Sequence, residues 1–372
     1  MASLYIHIPF CHHKCIYCDF YSIAQKVDKD LYINNLLSEL EYRKDFLGDK
    51  PQTIYFGGGT PSLLTIKQVD RILKGIDRVY GLENAKEITF ETNPEDSKEV
   101  YLRDLKSLGI NRLSIGVESF DDRDLRLLNR SHNSLTAKAS IENALKVGFE
   151  NISIDLISNL PFSSFKIWKQ NLETFAKFDL PHISSYTLMI EEGTMLSKLI
   201  KMGKYQPISE QDALLQLDYT ISFLESKGYT HYETSSFAKP CFESKHNMAY
   251  WSFQSYLGIG VAAHSYKENI GQWNENDIEA YMNSKTDSYH SICKQEKLSL
   301  EEQFEEYVLL SARMQKGLSL KAVKDKFPAY YERFRENCEK MILEGYLNND
   351  LSLTLKGWHL QDTLILNLCD IG

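Results

Sequence analysis

The sequence lacks any stretch approaching the ~18 consecutive apolar residues that a membrane span requires. Its first residues, Met1-Ala2-Ser3-Leu4-Tyr5-Ile6-His7, lack the cationic region and apolar run of a secretory signal, so a cytoplasmic protein is expected. Positive charge is in deficit: 42 Lys and Arg stand against 51 Asp and Glu, a formal net charge of −9. That argues against a broad nucleic-acid-binding surface. Low-complexity linkers are missing too, and 43% hydrophobic with 25% charged residues excludes global disorder. Seven cysteines, an odd number without a secretion signal, do not make a disulfide framework. What is present is ample chain: 372 residues suit two or three domains, or one large barrel with an appendage.

The cysteines divide unevenly. Cys241, Cys293, Cys338 and Cys369 are scattered and read as small hydrophobes. Cys11-His-His-Lys-Cys15-Ile-Tyr-Cys18 spells C-x3-C-x2-C. Three thiolates this close can clasp one compact inorganic unit. A structural zinc site wants a fourth ligand, and no second C-x2-C exists; His12 or His13 would have to supply it from within the loop. An Fe–S cluster is held by thiolates, and three on a four-iron cluster leave one iron open for chemistry. Spacing alone leaves both readings standing.

Strand-like runs recur at residues 4–8, Thr53–Phe56, Glu87–Phe90, Arg112–Ile115, Ile152–Ile157 and His182–Leu188, with helical patterns between them. The first helix is expected over about residues 28–46. Gly109, Gly148 and Gly228 each close a helix just before a strand. Repeated strand–helix units imply an α/β fold with a parallel sheet, open or closed as a barrel. From about residue 285 long amphipathic helices take over. A capping box at Ser299-Leu-Glu-Glu302 opens a helix expected to end at Gly317. Further helical stretches, a polar turn at Asn348-Asn349-Asp350 and a last helical run follow, in the manner of a winged helix. With 9 Lys and Arg against 12 Asp and Glu from Ser299 onward, a docking or lid domain is expected rather than a DNA-binding wing.

In parallel barrels the active site lies at the C-terminal ends of the strands. Here those ends read Cys11, Cys15 and Cys18; Gly57-Gly-Gly-Thr-Pro61; Glu91-Thr-Asn-Pro94; Gly116-Val-Glu118-Ser; and Asp155. Singly, a Gly triplet is a tight turn and a strand-end carboxylate a helix cap. Five in order suit a small zwitterionic ligand beside a metal unit. Glycines allow close backbone approach, Glu91 and Asp155 accept hydrogen bonds, and Arg130 pairs with a carboxylate.

These motifs, with Tyr5-Ile-His-Ile-Pro-Phe-Cys11, Asn129-Arg130 and Asp155-Leu-Ile, resemble the radical S-adenosylmethionine (SAM) superfamily, more narrowly its oxygen-independent coproporphyrinogen III oxidase group. The resemblance implies a partial TIM-type parallel (β/α) barrel over residues 1–230, a connecting region over 231–285, and a smaller, mostly helical, winged-helix-like domain over 286–372. It implies a 4Fe–4S cluster on Cys11, Cys15 and Cys18, and SAM contacts from Tyr5, Tyr17, Gly58, Gly59, Thr60, Glu91, Glu118, Arg130 and Asp155. It also implies an electron donor of the flavodoxin or ferredoxin type, and a monomer or homodimer. The oxidase pattern has a fourth cysteine where this chain has Phe20, and a long extension where ten residues precede Cys11. The haem-chaperone branch of the group carries H-N-x-x-Y-W, matched by His246-Asn-Met-Ala-Tyr250-Trp251. A haem chaperone that passes haem to an acceptor protein is therefore expected, with porphyrinogen oxidation as the alternative. His246 is the expected haem ligand, sharing a face with Tyr250 if the stretch is a helix, or lining a cleft beside the barrel mouth with Tyr250 and Trp251 if it is a loop, with His7, His182 and His264 as competitors. Glu118 stands where the group has Gln, Asn159 where it has Gly, and Ala262 in its Gly-Pro-Gly-Ala-His-Ser stretch where it has the second Gly.

Replacing Cys15 with Ala is expected to remove the ~4 irons of anaerobically reconstituted protein. Replacing Cys293 or Cys369 is expected to leave the iron content unchanged. Stoichiometric zinc without iron in the wild type would contradict the cluster reading.

Overall fold

The computed structural model describes residues 2–284 and 292–370. Six strands, β1 (Ala2–Ile8), β2 (Pro51–Gly58), β3 (Glu87–Thr92), β4 (Arg112–Glu118), β5 (Asn151–Ser158) and β6 (His182–Thr187), pair in parallel in sequence order. Each strand alternates. Leu4, Ile6, Ile8, Ile54, Phe56, Phe90, Leu113, Ile115, Ile152, Ile154 and Ile183 turn one way into the main core. That core is completed by helices at Lys29–Tyr42, Ile66–Tyr80, Glu99–Ser107, Ser134–Val147, Phe165–Ala176 and Glu210–Ser226. The opposite face carries Thr53, Tyr55, Glu87, Glu91, Arg112, Ser114, Ser153, Asp155 and His182. A TIM barrel is filled by layers of branched apolar side chains; this partial barrel is lined with polar and charged ones.

The connecting region extends the sheet at both edges. β7 (Thr230–Glu233) and β8 (Ser236–Ala238) form a hairpin antiparallel to β6. β9 (Tyr256–Ile259) lies parallel to β1, and β10 (His264–Lys267), β11 (Ile270–Asn274) and β12 (Cys293–Lys297) continue outward, antiparallel. The order β12-β11-β10-β9-β1-β2-β3-β4-β5-β6-β8-β7 does not close among the described residues, so the barrel is partial. Between β8 and β9 the chain crosses from one side of the barrel to the other, carrying a short helix at Lys245–Trp251.

Two expected helix ends move inward. The first helix stops at Tyr42 rather than near residue 46, because Arg43 turns in to bond the Gly258 carbonyl (3.2 Å) and Gln272 (2.7 Å). The capping-box helix spans Leu300–Ala312, short of Gly317. There the backbone leaves the helix for the barrel edge: Thr234 N–H donates to the Arg313 carbonyl (2.9 Å), and Met314 bridges Glu233. A second core follows, with Phe304, Val308, Phe334, Cys338, Leu364 and Leu368 at its centre. Its wing is reduced to one antiparallel bridge, Leu347 to Leu353, and its last helical run divides at Leu360. Trp358 packs against both cores, and His359 meets Asp218 of the barrel at 2.5 Å. The domain boundary expected at 285/286 lies outside the described residues.

The edge bearing β9–β11 is fastened by one carboxylate. Glu39, 1% exposed, accepts from Tyr281 Oη (2.7 Å), Asn274 Nδ2 (2.7 Å) and the Gly260 N–H (2.9 Å), and faces Arg43 at 3.4 Å. Glu39→Ala strands a buried guanidinium and several donors. It is expected to cost about 3–5 kcal/mol in chemical denaturation; a loss below about 1 kcal/mol would show that the network is dispensable.

Candidate functional site

The C-terminal ends of β1–β6 surround a cavity of about 450 Å³. Cys11, Cys15, Cys18, Tyr17, Gly58, Gly59, Thr60, Glu91, Glu118, Arg130 and Asp155 all line it, so the structure brings together every expected cluster and cosubstrate residue except Tyr5. Tyr5 lies beneath, its hydroxyl 3.0 Å from His7 Nδ1 and its ring 6.2 Å from that of Tyr55.

The loop after β1 is held by backbone. Gly59 N–H donates to the Ile8 carbonyl (2.8 Å) and Thr60 N–H to that of Phe10 (2.7 Å). A Cβ on Gly59 would stand 2.8 Å from the Phe10 oxygen and the Pro9 carbonyl carbon, so only glycine lets the two loops lie this close. The three thiols are free and partly exposed. Among the described residues no three His, Cys, Asp or Glu side chains converge on a single-ion position. Thr60 Oγ1 lies 3.5 Å from Cys11 Sγ, and Arg130 Nη1 3.5 Å from Cys15 Sγ. Such donors to sulfur tune an Fe–S centre. Burial pushes the Cys15 thiol up against the pull of Arg130, and carries Cys18 to about 11. Loading a metal therefore has to displace protons.

Arg130 is buried and held on every side: its Nη2 donates to Asn93 Oδ1 (2.9 Å) and the Gly116 carbonyl (2.8 Å), and its Nη1 faces Glu118 at 3.6 Å. Glu118 occupies a bulge of β4 with φ 64°, a left-handed conformation that is costly for a side chain of its size. Its carboxylate faces Arg130, so Glu118 places a charge partner where the group has the neutral Gln. Asn159, also at φ 62°, is the residue best able to stand in for glycine there. Ala262 sits at φ 58° where the group has Gly.

Glu91 accepts from Tyr55 Oη at 2.7 Å, and Asp155 from Ser114 Oγ at 3.3 Å. Burial raises each carboxyl to about 7. Asn93, Ser114 and Tyr55 were not singled out from the sequence, although Asn93 lies inside a quoted strand-end motif and the others fall in alternation with Gly116 and Gly57.

His246 is elsewhere: the stretch is a helix on which His246 and Tyr250 share a face, not a loop lining the mouth. It sits on the Lys245–Trp251 helix at the N-terminal end of the strands, 1% exposed. Its Nδ1 is 2.8 Å from Thr53 Oγ1 and its Nε2 2.9 Å from Tyr250 Oη. Glu87, at the start of β3, accepts the N–H groups of Lys245 and His246, both at 3.0 Å. The H-N-x-x-Y-W helix therefore closes the barrel floor, with both ring nitrogens of His246 hydrogen-bonded there. His7 and His182 are likewise bonded through both ring nitrogens. His264 is exposed and stacks on Trp273, away from the cavity lining.

The model of the radical SAM superfamily matches residues 5–175. The heme chaperone HemW of Lactococcus lactis is 35% identical over 363 residues, 96% of this chain and 94% of its own. That of Bacillus subtilis is 36% identical over 331 residues, 88% and 87%. This chain belongs to the HemW family. HemW of Escherichia coli is 38% identical over 267 residues, covering 70% of this chain and 69% of its own. The coproporphyrinogen III oxidase HemN of the same organism shares the fold, with a TM-score of 0.81 at 24% identity over 100% of this chain and 89% of that one. The superfamily implies a 4Fe–4S cluster and SAM, and the cavity suits both: three free thiols with donors aimed at two of them, beside buried carboxylates and an arginine. No helix among the described residues is long and apolar enough to cross a membrane.

Glu91 and Asp155 bind protons more tightly in the folded chain than in the unfolded one, where carboxyls titrate near ~4. The stability they lend at low pH is lost as pH rises through about 7. The buried imidazoles of His7 and His231, lowered by burial to about 4, act in the opposite sense, so the measurement is a difference. In metal-free protein, Glu91→Gln/Asp155→Asn is expected to gain little stability over wild type at pH 5 and most at pH 8. A gain independent of pH would contradict the assignment.

Proposed function

We propose that this chain is a haem chaperone: it holds a 4Fe–4S cluster on Cys11, Cys15 and Cys18, takes SAM in the cavity beside it, binds haem, and passes the haem to an acceptor protein. The observation that carries this reading is the near full-length similarity to relatives named heme chaperones. The likeness to HemN is one of fold and carries no oxidase activity with it.

When bound, the cluster would supply one electron to SAM and leave an iron for its amino acid end. The chain's own residues do the rest. Arg130 keeps a positive charge beside Cys15 and Glu118. Burial opposes that charge, and the Glu118 carboxylate 3.6 Å away favours it. Gly58 and Gly59 let the loop after β2 lie against β1 at the edge of the cavity, and Tyr17, Glu91, Glu118 and Asp155 offer acceptors for an ammonium or ribose hydroxyls. Reduction falls to a donor of the flavodoxin or ferredoxin type, and the setting is cytoplasmic.

Anaerobically reconstituted protein is expected to bind haem at about one per chain, with a Soret band, and to release it to a haem-free acceptor. Coproporphyrinogen III is expected to stay unconverted in the presence of reductant and SAM. Turnover matching a genuine oxidase assayed in parallel, or no haem binding at all, would reverse this reading.

A further inference from the structure

The haem-binding surface remains to be located once His246 is assigned to the barrel floor, and the apolar side chains nearest the cavity supply it. Large hydrophobic residues exposed singly are ordinary; several around one opening are not. At the end of β6 and in the loop beyond it, Tyr186, Met189 and Ile190 are exposed, Met189 at 69%. From the loop carrying the cysteines, Phe20 is 72% exposed. Phe20, Tyr186, Leu188 and Met189 line the same cavity as Cys11, Cys15 and Cys18, so the two loops bring their apolar side chains to one mouth although they come from opposite ends of the barrel sequence. Cation charge is available there too: Lys14 lines the cavity, is exposed, and has no ion-pair partner among the described residues.

We infer that haem docks at this mouth, its macrocycle against Phe20, Tyr186, Leu188 and Met189 and a propionate toward Lys14, above the cavity that holds the cluster. The inference rests on the haem-chaperone reading and names its surface. A planar macrocycle with carboxylates on one edge asks for what the mouth provides: aromatic and thioether surface that adapts to a flat face, with a cation at the rim. The residues are exposed in the protein alone, which suits a ligand that must be released to another protein. The cavity itself, at about 450 Å³, already has the cluster and SAM to accommodate, so the macrocycle belongs over the opening.

The test titrates hemin into cluster-loaded protein and follows the Soret band, with iron content and SAM binding measured on the same samples. Phe20→Ser/Met189→Ser is expected to weaken haem binding at least about tenfold, and Phe20→Leu/Met189→Leu to stay within about threefold of wild type. Tyr186→Ser/Met189→Ser, remote in sequence from the cysteines, is expected to weaken binding as well, so a folding or cluster defect at Phe20 does not decide the matter. If the wild type binds haem and both serine pairs bind it equally well, the site is wrong and the chaperone reading stands. A leucine pair as weak as the serine pair would also overturn it, because apolar surface would not be what counts. If the wild type binds no haem, both readings fall. A serine pair that changes the oligomeric state while haem affinity holds would give the mouth to a second copy of the chain, again against the proposal.

Discussion

Everything in this structure answers to the polar inner face of β1–β6. Charged groups turned into a protein interior have to be paired, or they cost several kcal/mol each. The two ends of the partial barrel meet that demand differently. At the N-terminal end Glu87 caps the Lys245–Trp251 helix and Thr53 bonds His246, while the buried Arg112 keeps an Nε without a hydrogen-bond partner. At the C-terminal end Glu91 and Asp155 are driven toward their neutral forms by burial, and Arg130 is braced by Asn93, Gly116 and Glu118. One end is closed by the Lys245–Trp251 helix, and the other opens on the cavity.

That division explains how much of the site could be read directly. The parallel strands and the cysteine loop were legible because alternation and close spacing are local properties. Strand-end residues could be placed on one face because parallel strands share a direction. The role of the H-N-x-x-Y-W stretch was not legible, because it depends on where the chain goes between β8 and β9. Those strands pair with opposite members of the sheet, β6 and β1. A segment joining them has to pass beneath the barrel, which carries His246 to the floor. No pattern within the six residues encodes that crossing. An inward-facing Glu87 at the start of a strand was the one distant hint, since a buried carboxylate needs donors from somewhere.

The departures from the family pattern follow the same physics. Asn159 keeps a left-handed backbone that the group builds with glycine, and Glu118 gives Arg130 a charge partner. Helix ends were less legible. Just beyond Tyr42 the Arg43 side chain reaches the Gly258 carbonyl, and beyond Ala312 the Arg313 carbonyl accepts from Thr234 N–H, both partners distant in sequence. Tertiary hydrogen bonds outweigh the small propensity differences that would otherwise prolong a helix.

The central claim is a separation of roles: ligand chemistry at the C-terminal ends of the strands, and closure by the His246 helix at the other end. Iron anomalous scattering from crystals of cluster-loaded, haem-loaded protein tests it most directly. The account predicts a strong iron peak among Cys11, Cys15 and Cys18 and a second, from haem, on the same side of the sheet. Haem iron bonded to His246 at the barrel floor would contradict it.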